Sequence, residues 1–339
     1  MKIAIHHRQG SFSERWIRYC EGKSIEYKLV NVYDSDIVQQ LQDCDAFLWH
    51  FHHADYRDNL FAKPLILSLQ QSGKAVFPDS NTAWHFDDKI GEKYLLEALH
   101  VPMVRSYVFY DKAEALHWIK QQTFPLVFKL RGGAGASNVM LLRKQSEAKH
   151  VIRKAFGNGF SPISSWKALK ETFRLYRKGK KRLKDVIYKI QFLFYTPTER
   201  KMLSAQKGYA YFQDFVAGND SDIRVIIIGD KGFAIKRMVR EGDFRASGSG
   251  NILYDKKEID EACVRLAFEA NKHIQSQCIA FDFVHDSSHT PLIVETSFGF
   301  SMHGYDACPG FWTDDMVWHE GEFCPQDWMI ENLLKQVTE

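Results

Sequence analysis

The chain has 339 residues, 45% of them hydrophobic and 26% charged, and a formal net charge of +3. That length suits two or three domains, and the apolar fraction excludes general disorder. No apolar run reaches the ~18 residues of a membrane helix, no signal-peptide core opens the chain, and six scattered cysteines form no C-x-x-C. Reduced thiols in a cytoplasm are the expectation.

Residues 1–85 alternate between strand and helix patterns: strands over 2–6, 27–33, 46–51 and 75–78, helices over 13–21, 37–41 and 60–71. Such alternation predicts a doubly wound parallel sheet, with ligands at the carboxyl ends of its strands. His50-Phe51-His52-His53 follows the third strand. Three histidines without a Cys or acid at matching spacing argue against a metal, so a solvated loop is the simplest reading and a substrate-facing loop the alternative. Trp84-His85-Phe86 and His303 are further cleft candidates, with core packing as their plain alternative.

A helix over 87–100 begins with Asp87-Asp88-Lys89, then a strand over 106–110 and a helix over 113–121. The strand over 124–129 ends on Lys129, runs into Arg131-Gly132-Gly133-Ala134-Gly135-Ala136-Ser137, and returns over 139–142. Strand, small-residue loop and strand suit a flap whose backbone N–H groups approach phosphate. The lysine precedes the glycines and no helix follows, so this is not a Walker A loop.

Residues 161–207 hold thirteen Lys/Arg against three Asp/Glu, which leaves the rest of the chain acidic. Trp166, Leu169, Phe173 and Tyr176 share one helical face, and Leu183, Val186, Ile187, Ile190 and Phe194 another. Two amphipathic helices flanking the basic turn 177–182 are expected. The favoured role is a lid whose apolar faces pack on the core. An acidic acceptor is the second reading, an anionic membrane surface a third, and nucleic acid the least favoured.

From 209 onward strands dominate: 209–216, 222–228 and 232–238, a helix over 257–274, then two apolar stretches, 279–284 and 291–296, joined by a turn. This last pair reads as a β-hairpin. It carries Asp282 and Glu295. An acid in an apolar strand is costly unless paired or bound to metal, and two on neighbouring strands can share a Mg²⁺.

In this order the pieces resemble the ATP-grasp superfamily, and most closely the branch of RimK-type glutamate ligases and glutathione synthetase. The most specific stretch is Asp222-Ile223-Arg224-Val225, Lys236-Arg237 and Glu241-Gly242-Asp243-Phe244-Arg245. The resemblance spans about residues 80–305. It implies an α/β chain with the α+β ATP-grasp fold. Residues 1–85 would be a Rossmann-like pre-ATP-grasp domain, 86–215 a first subdomain including the insertion 161–207, and 216–339 a C-terminal subdomain with the metal site.

By this resemblance ATP lies between two sheets. Lys89, Lys129 and the flap residues Gly133, Gly135, Ala136 and Ser137 meet its phosphates. The strand with Gln213, Asp214 and Val216 borders adenine. Asp222 holds the ribose, Arg237 faces the phosphates, and Arg224 and Arg245 face the reacting acyl group. Asp282 and Glu295 match the metal carboxylates for one or two Mg²⁺ (or Mn²⁺). Where the family has Glu-x-Asn, this chain has Glu295-Thr296-Ser297, which puts Ser297 in the asparagine's place.

The implied activity is an ATP-dependent carboxylate–amine (or thiol) ligase acting through an acyl phosphate. The alternatives are an ATP-grasp kinase acting on a hydroxyl and a degenerate nucleotide-binding module. The family also implies a homo-oligomer, and the expected location is cytoplasmic, with the basic insertion allowing contact with the inner membrane surface.

Overall fold

The computed structural model describes residues 1–133, 138–161, 169, 172–173, 176–177, 182–194, 205–239, 244 and 250–338. Its first sheet is parallel and ordered β2-β1-β3-β4, from β1 (Lys2–His6), β2 (Glu26–Val30), β3 (Ala46–Leu48) and β4 (Ala75–Phe77). Side chains alternate across β1. Ile3 and Ile5 pack with Trp16, Ile226 and Ile228, whereas Ala4 packs with Phe47, Trp49 and Ile66 on the other face. Burial on both faces is what a parallel sheet requires. Strands 2 and 3 end earlier than their apolar patterns, at Val30 and Leu48.

A four-stranded antiparallel sheet follows, β5 (Ser106–Phe109), β6 (Leu126–Lys129), β7 (Val139–Leu142) and β8 (Ala210–Asp214), in the order β5-β8-β6-β7. Leu126, Phe128, Ala210 and Phe212 pack on the helices Lys112–Trp118 and Gln145–Ala155. The opposite face carries Val127, Lys129 and Gln213. The pattern reading omitted the helix Gln145–Ala155, although Ala148, Val151, Ile152 and Ala155 bury one face at helical spacing.

The third sheet runs β13-β12-β9-β10-β14-β15, with β11 (Ile252–Leu253) on β10. Its strands are β9 (Ser221–Ile228), β10 (Lys231–Met238), β12 (Cys278–His285), β13 (Pro291–Ser297), β14 (Gly310–Thr313) and β15 (Trp318–Glu320). Ile223, Val225, Ile227, Phe281 and Phe283 pack under the helix Glu261–Ile274. Ile226 and Ile228 point the other way, onto the first sheet and the helix Pro325–Thr338. The expected helix over 257–274 starts later, because Asp260 caps it by accepting from Ala262 N–H. The β14–β15 hairpin and the Pro325–Thr338 helix had not been read from the sequence.

Within the basic insertion the described helix is Leu183–Phe194. Of its expected apolar face, Val186 is buried but Leu183, Ile187 and Ile190 are exposed. Among these residues the burial that a lid requires is met at Val186 alone. No helix among the described residues is long and apolar enough to cross a membrane.

Candidate active site

Strand register builds a row of alternating charge. Arg224 on β9 lies opposite Asp282 on β12, Asp282 lies opposite Glu295 on β13, and Arg237 on β10 lies opposite Asp222 on β9. Period-two alternation puts all five on one face of the sheet. Arg224 grips Asp282 with Nε and Nη2 at 2.5 and 3.0 Å. Arg237 grips Asp222 through two bonds of 2.6 Å, and its Nη2 reaches Asp282 Oδ2 at 2.9 Å. Burial opposes ionisation of Asp282, but Arg224 and Arg237 outweigh it and hold its pKa down to about 2. Burial wins at Asp222, whose pKa is raised in spite of Arg237.

Facing this row are two buried lysines. Lys89 opens the helix Lys89–Ala98, and its Nζ lies 2.9 Å from Glu295 Oε1. Burial disfavours its ammonium, but Glu295 and Glu92 hold its pKa above the usual lysine value. Lys129, at the end of β6, donates to the Val294 carbonyl at 3.2 Å. Burial, with Lys89 adding to it, brings Lys129 down to about 8 despite Glu295. Glu295 is itself held below its usual value: burial pushes it up, and Lys89 and Lys129 pull it further down.

Glu92 is the site residue the sequence reading passed over. One helical turn after Lys89, it accepts from Thr296 N–H at 3.0 Å, and burial lifts it to about 8. The Lys–Glu spacing of three on one helix face was the available signal.

Glu92, Lys129, Asp222, Arg224, Asp282 and Glu295 line a cavity of about 710 Å³ between the two antiparallel sheets, and Lys89 and Arg237 lie behind them, paired to Glu295 and Asp222. The hinge-strand residues Gln213, Asp214 and Val216 reach it. Gln213 is tied by its amide to Ser106 Oγ and the Val294 carbonyl, and Asp214 N–H is used by the Arg105 carbonyl. In the flap, Gly133 donates its N–H to Asp87, accepts from Lys89 Nζ, and has φ +104°. A Cβ there would meet the Asn138 side-chain amide, and an L side chain is strained at that φ, so the position favours glycine. Gly135, Ala136, Ser137 and Arg245 lie outside the described residues.

The cavity extends to the first sheet, where His50, His52 and His53 line it. The loop is therefore not merely solvated. Phe12 stacks on His50 with ring centroids 3.7 Å apart, and Ser11 Oγ meets its Nδ1 at 3.1 Å. Burial, then the neighbouring His52, lowers His50 to about 3; burial and His53 lower His52 to about 4. Both are neutral imidazoles at pH 7. Phe86 lines the cavity with them, whereas Trp84 and His85 do not and His303 is exposed, bonded to Asp306.

Two carboxylates held ionised on adjacent strands form a hard-oxygen donor set that fits Mg²⁺. Asp282 already accepts from both arginines, so the free lone pairs lie mostly on Glu295. Ser297 also lines the cavity, with its hydroxyl donated to the Gly299 carbonyl at 3.0 Å.

Two antiparallel sheets closing on a charged cavity, behind an N-terminal parallel sheet, define an ATP-grasp fold. Residues 191–307 match the RimK-like ATP-grasp domain. The chain is similar to the α-aminoadipate–LysW ligase LysX of Saccharolobus solfataricus, 22% identical over 281 residues that cover 82% of this chain and 85% of the relative. Its fold is similar to that of a RimK domain ATP-grasp protein from Sphaerobacter thermophilus (TM-score 0.56, 14% identity, 99% of this chain and 100% of that one). It is also similar to the biotin carboxylase domain of Hydrogenobacter thermophilus 2-oxoglutarate carboxylase, solved with MgADP, ADP and bicarbonate (TM-score 0.59, 15% identity, 98% of this chain and 69% of that one).

Proposed function

We propose that the protein is an ATP- and Mg²⁺-dependent ligase that joins a carboxylate to an amine through an acyl phosphate, releasing ADP and phosphate. The observation that carries this is the charge row Arg237–Asp222, Arg224–Asp282–Glu295 beside a cavity lined also by buried Lys129, with buried Lys89 paired to Glu295. In this reading residues 1–85 are the pre-ATP-grasp domain, 86–215 the first ATP-grasp subdomain and 216–339 the second.

Lys89, Lys129 and the flap take the phosphates of ATP, each lysine as a compact charge. The backbone near Asp214 and Val216 takes adenine, and Asp222 the ribose. Asp282 and Glu295, with Ser297 beside them, hold Mg²⁺, which supplies Lewis-acid neutralisation of phosphate oxygens. A substrate carboxylate oxygen attacks the γ-phosphorus, and the bond to the β–γ bridging oxygen breaks as ADP leaves. The amine then attacks the acyl carbon and phosphate departs. Arg224 and Arg245 cover the charge that develops on the reacting acyl phosphate, and the flap excludes the water that would hydrolyse it. The neutral imidazoles of His50, His52 and His53 orient the polar end of the substrate by hydrogen bonds. Acidic amino acids are the first substrates to screen, given the relative that acts on α-aminoadipate.

Hydroxylamine tests the intermediate. With ATP, Mg²⁺ and a substrate pool, a hydroxamate should accumulate in step with ADP. ADP formation with a phosphorylated hydroxyl product and no hydroxamate would instead mark a kinase.

Lys129 supplies a pH test. It is charged below about pH 8 and neutral above, so the free enzyme loses a phosphate-binding charge as pH rises. The ratio kcat/KM for ATP is expected to fall up to about tenfold per pH unit above that value. In Lys129→Met the ratio should be lower throughout and lack that limb; an unchanged limb would assign it to another group.

A further inference from the structure

The strand that carries Asp282 toward the cavity carries His285 to the opposite face, under the helix Glu261–Ile274. There His285 Nε2 meets Asp260 Oδ2 at 2.8 Å and Cys263 Sγ at 3.7 Å. The carboxylate, thiol and imidazole ligand atoms all lie within 4.8 Å of one another. We propose that Asp260, Cys263 and His285 form a binding site for a thiophilic divalent cation of the zinc class, separate from the nucleotide cavity.

The donors suit that ion. Zinc takes Cys, His and carboxylate ligands, and tetrahedral bonds of ~2.0–2.3 Å set neighbouring ligand atoms about 3.4–3.6 Å apart. The His–Cys separation already fits, and the His–Asp pair needs to open by about half an ångström. A proton serves the cluster less well than a cation. If Nε2 carries the proton it can donate to Asp260 but cannot accept from the thiol; if it carries none, it faces a carboxylate with lone pair against lone pair. A cation at the centre satisfies all three at once.

The ligands are also held from behind, as metal ligands usually are. Asp260 uses its other oxygen, Oδ1, to cap the helix at Ala262 N–H, leaving Oδ2 toward His285. Asn219 fixes the backbone of His285 on both sides, accepting from its N–H and donating to its carbonyl at 2.9 Å. Cys263 is buried, but Asp260 and His285 are partly exposed and give the ion an entry path. The fourth position is open to water or to His289, whose ring centroid is 6.3 Å from that of His285. Asn219 also donates to the Val216 carbonyl at 3.4 Å, so occupancy would clip the helix start, the end of β12 and the cavity rim together.

Cobalt(II) titration of chelator-treated, full-length protein with Mg²⁺ in excess tests this. Cobalt bound through a thiolate gives a strong near-ultraviolet charge-transfer band, which an all-oxygen site at Asp282 and Glu295 cannot give. One equivalent should develop the band, and one equivalent of Zn²⁺ should remove it. Cys263→Ser should abolish it. His285→Gln, at a partly exposed position, should weaken Zn²⁺ binding by at least about tenfold and carries the test if the serine variant does not fold. No band at several equivalents, or a band and a Zn²⁺ affinity unchanged in these variants, would overturn the proposal. Neither outcome depends on ligase activity.

Discussion

Glu295→Gln is expected to lower turnover by at least about 10³-fold, because charge stabilisation worth several kcal/mol is lost and each ~1.4 kcal/mol is a factor of ten. Two effects combine. The substitution removes the carboxylate with the most free lone pairs for Mg²⁺. It also removes the anion that supports both lysines: Glu295 raises the pKa of Lys129 as well as that of Lys89. Without it Lys129 is depressed further and phosphate binding weakens. Lys89 retains Asp87 as an acidic neighbour and its bond to the Gly133 carbonyl, so the fold should survive, with cooperative thermal unfolding. Mg-dependent ADP release, read beside circular dichroism, separates the two. Turnover near wild type in a folded variant would remove Glu295 from the site.

Asp282→Asn should act on stability as well as turnover. Three charge-assisted contacts converge on this carboxylate. Breaking a buried pair from one side typically costs about 3–5 kcal/mol, since the remaining charge is left uncompensated. Arg237 keeps Asp222, so most of the penalty falls on Arg224. Urea unfolding should show the loss at pH 7. The pH dependence has a definite sign. The folded pKa of Asp282, about 2, lies below an unfolded value of ~3.9. Its stabilisation is therefore complete above about pH 4 and disappears as pH falls through 2. The gap between wild type and variant should close over that window. Replacing the pair by apolar residues, as in Arg224→Met with Asp282→Leu, should recover stability relative to Asp282→Asn but not activity. A double variant no more stable than the single one would contradict this account.

Much of the site was legible because its parts are local. Asp282 and Glu295 stand in short apolar runs around a turn, and a hairpin forces such residues opposite each other. Lys129 ends a strand just before glycines, and Gly133 proves to occupy a backbone position that favours glycine. Other features depend on partners distant in sequence. The His50–His53 loop looks solvated until Phe12 and the segment after β13, Phe298 and Gly299, pack against it. Glu92 is an ordinary helix glutamate until Thr296, 204 residues away, takes its carboxylate. Leu183, Ile187 and Ile190 make a good apolar stripe, yet most of that stripe is exposed.

The sequence by itself determined most of the strands and helices up to residue 297, the 279–296 hairpin and the identity of the charged residues. Periodicity and turn chemistry act over a few residues, so they are written locally. Tertiary structure alone decided which charges neutralise one another, which lysine is driven down to about 8, and that Asp260, Cys263 and His285 meet. Those outcomes depend on strand register and on a helix packed against a sheet, where distance and exclusion of water set the strength of every charge.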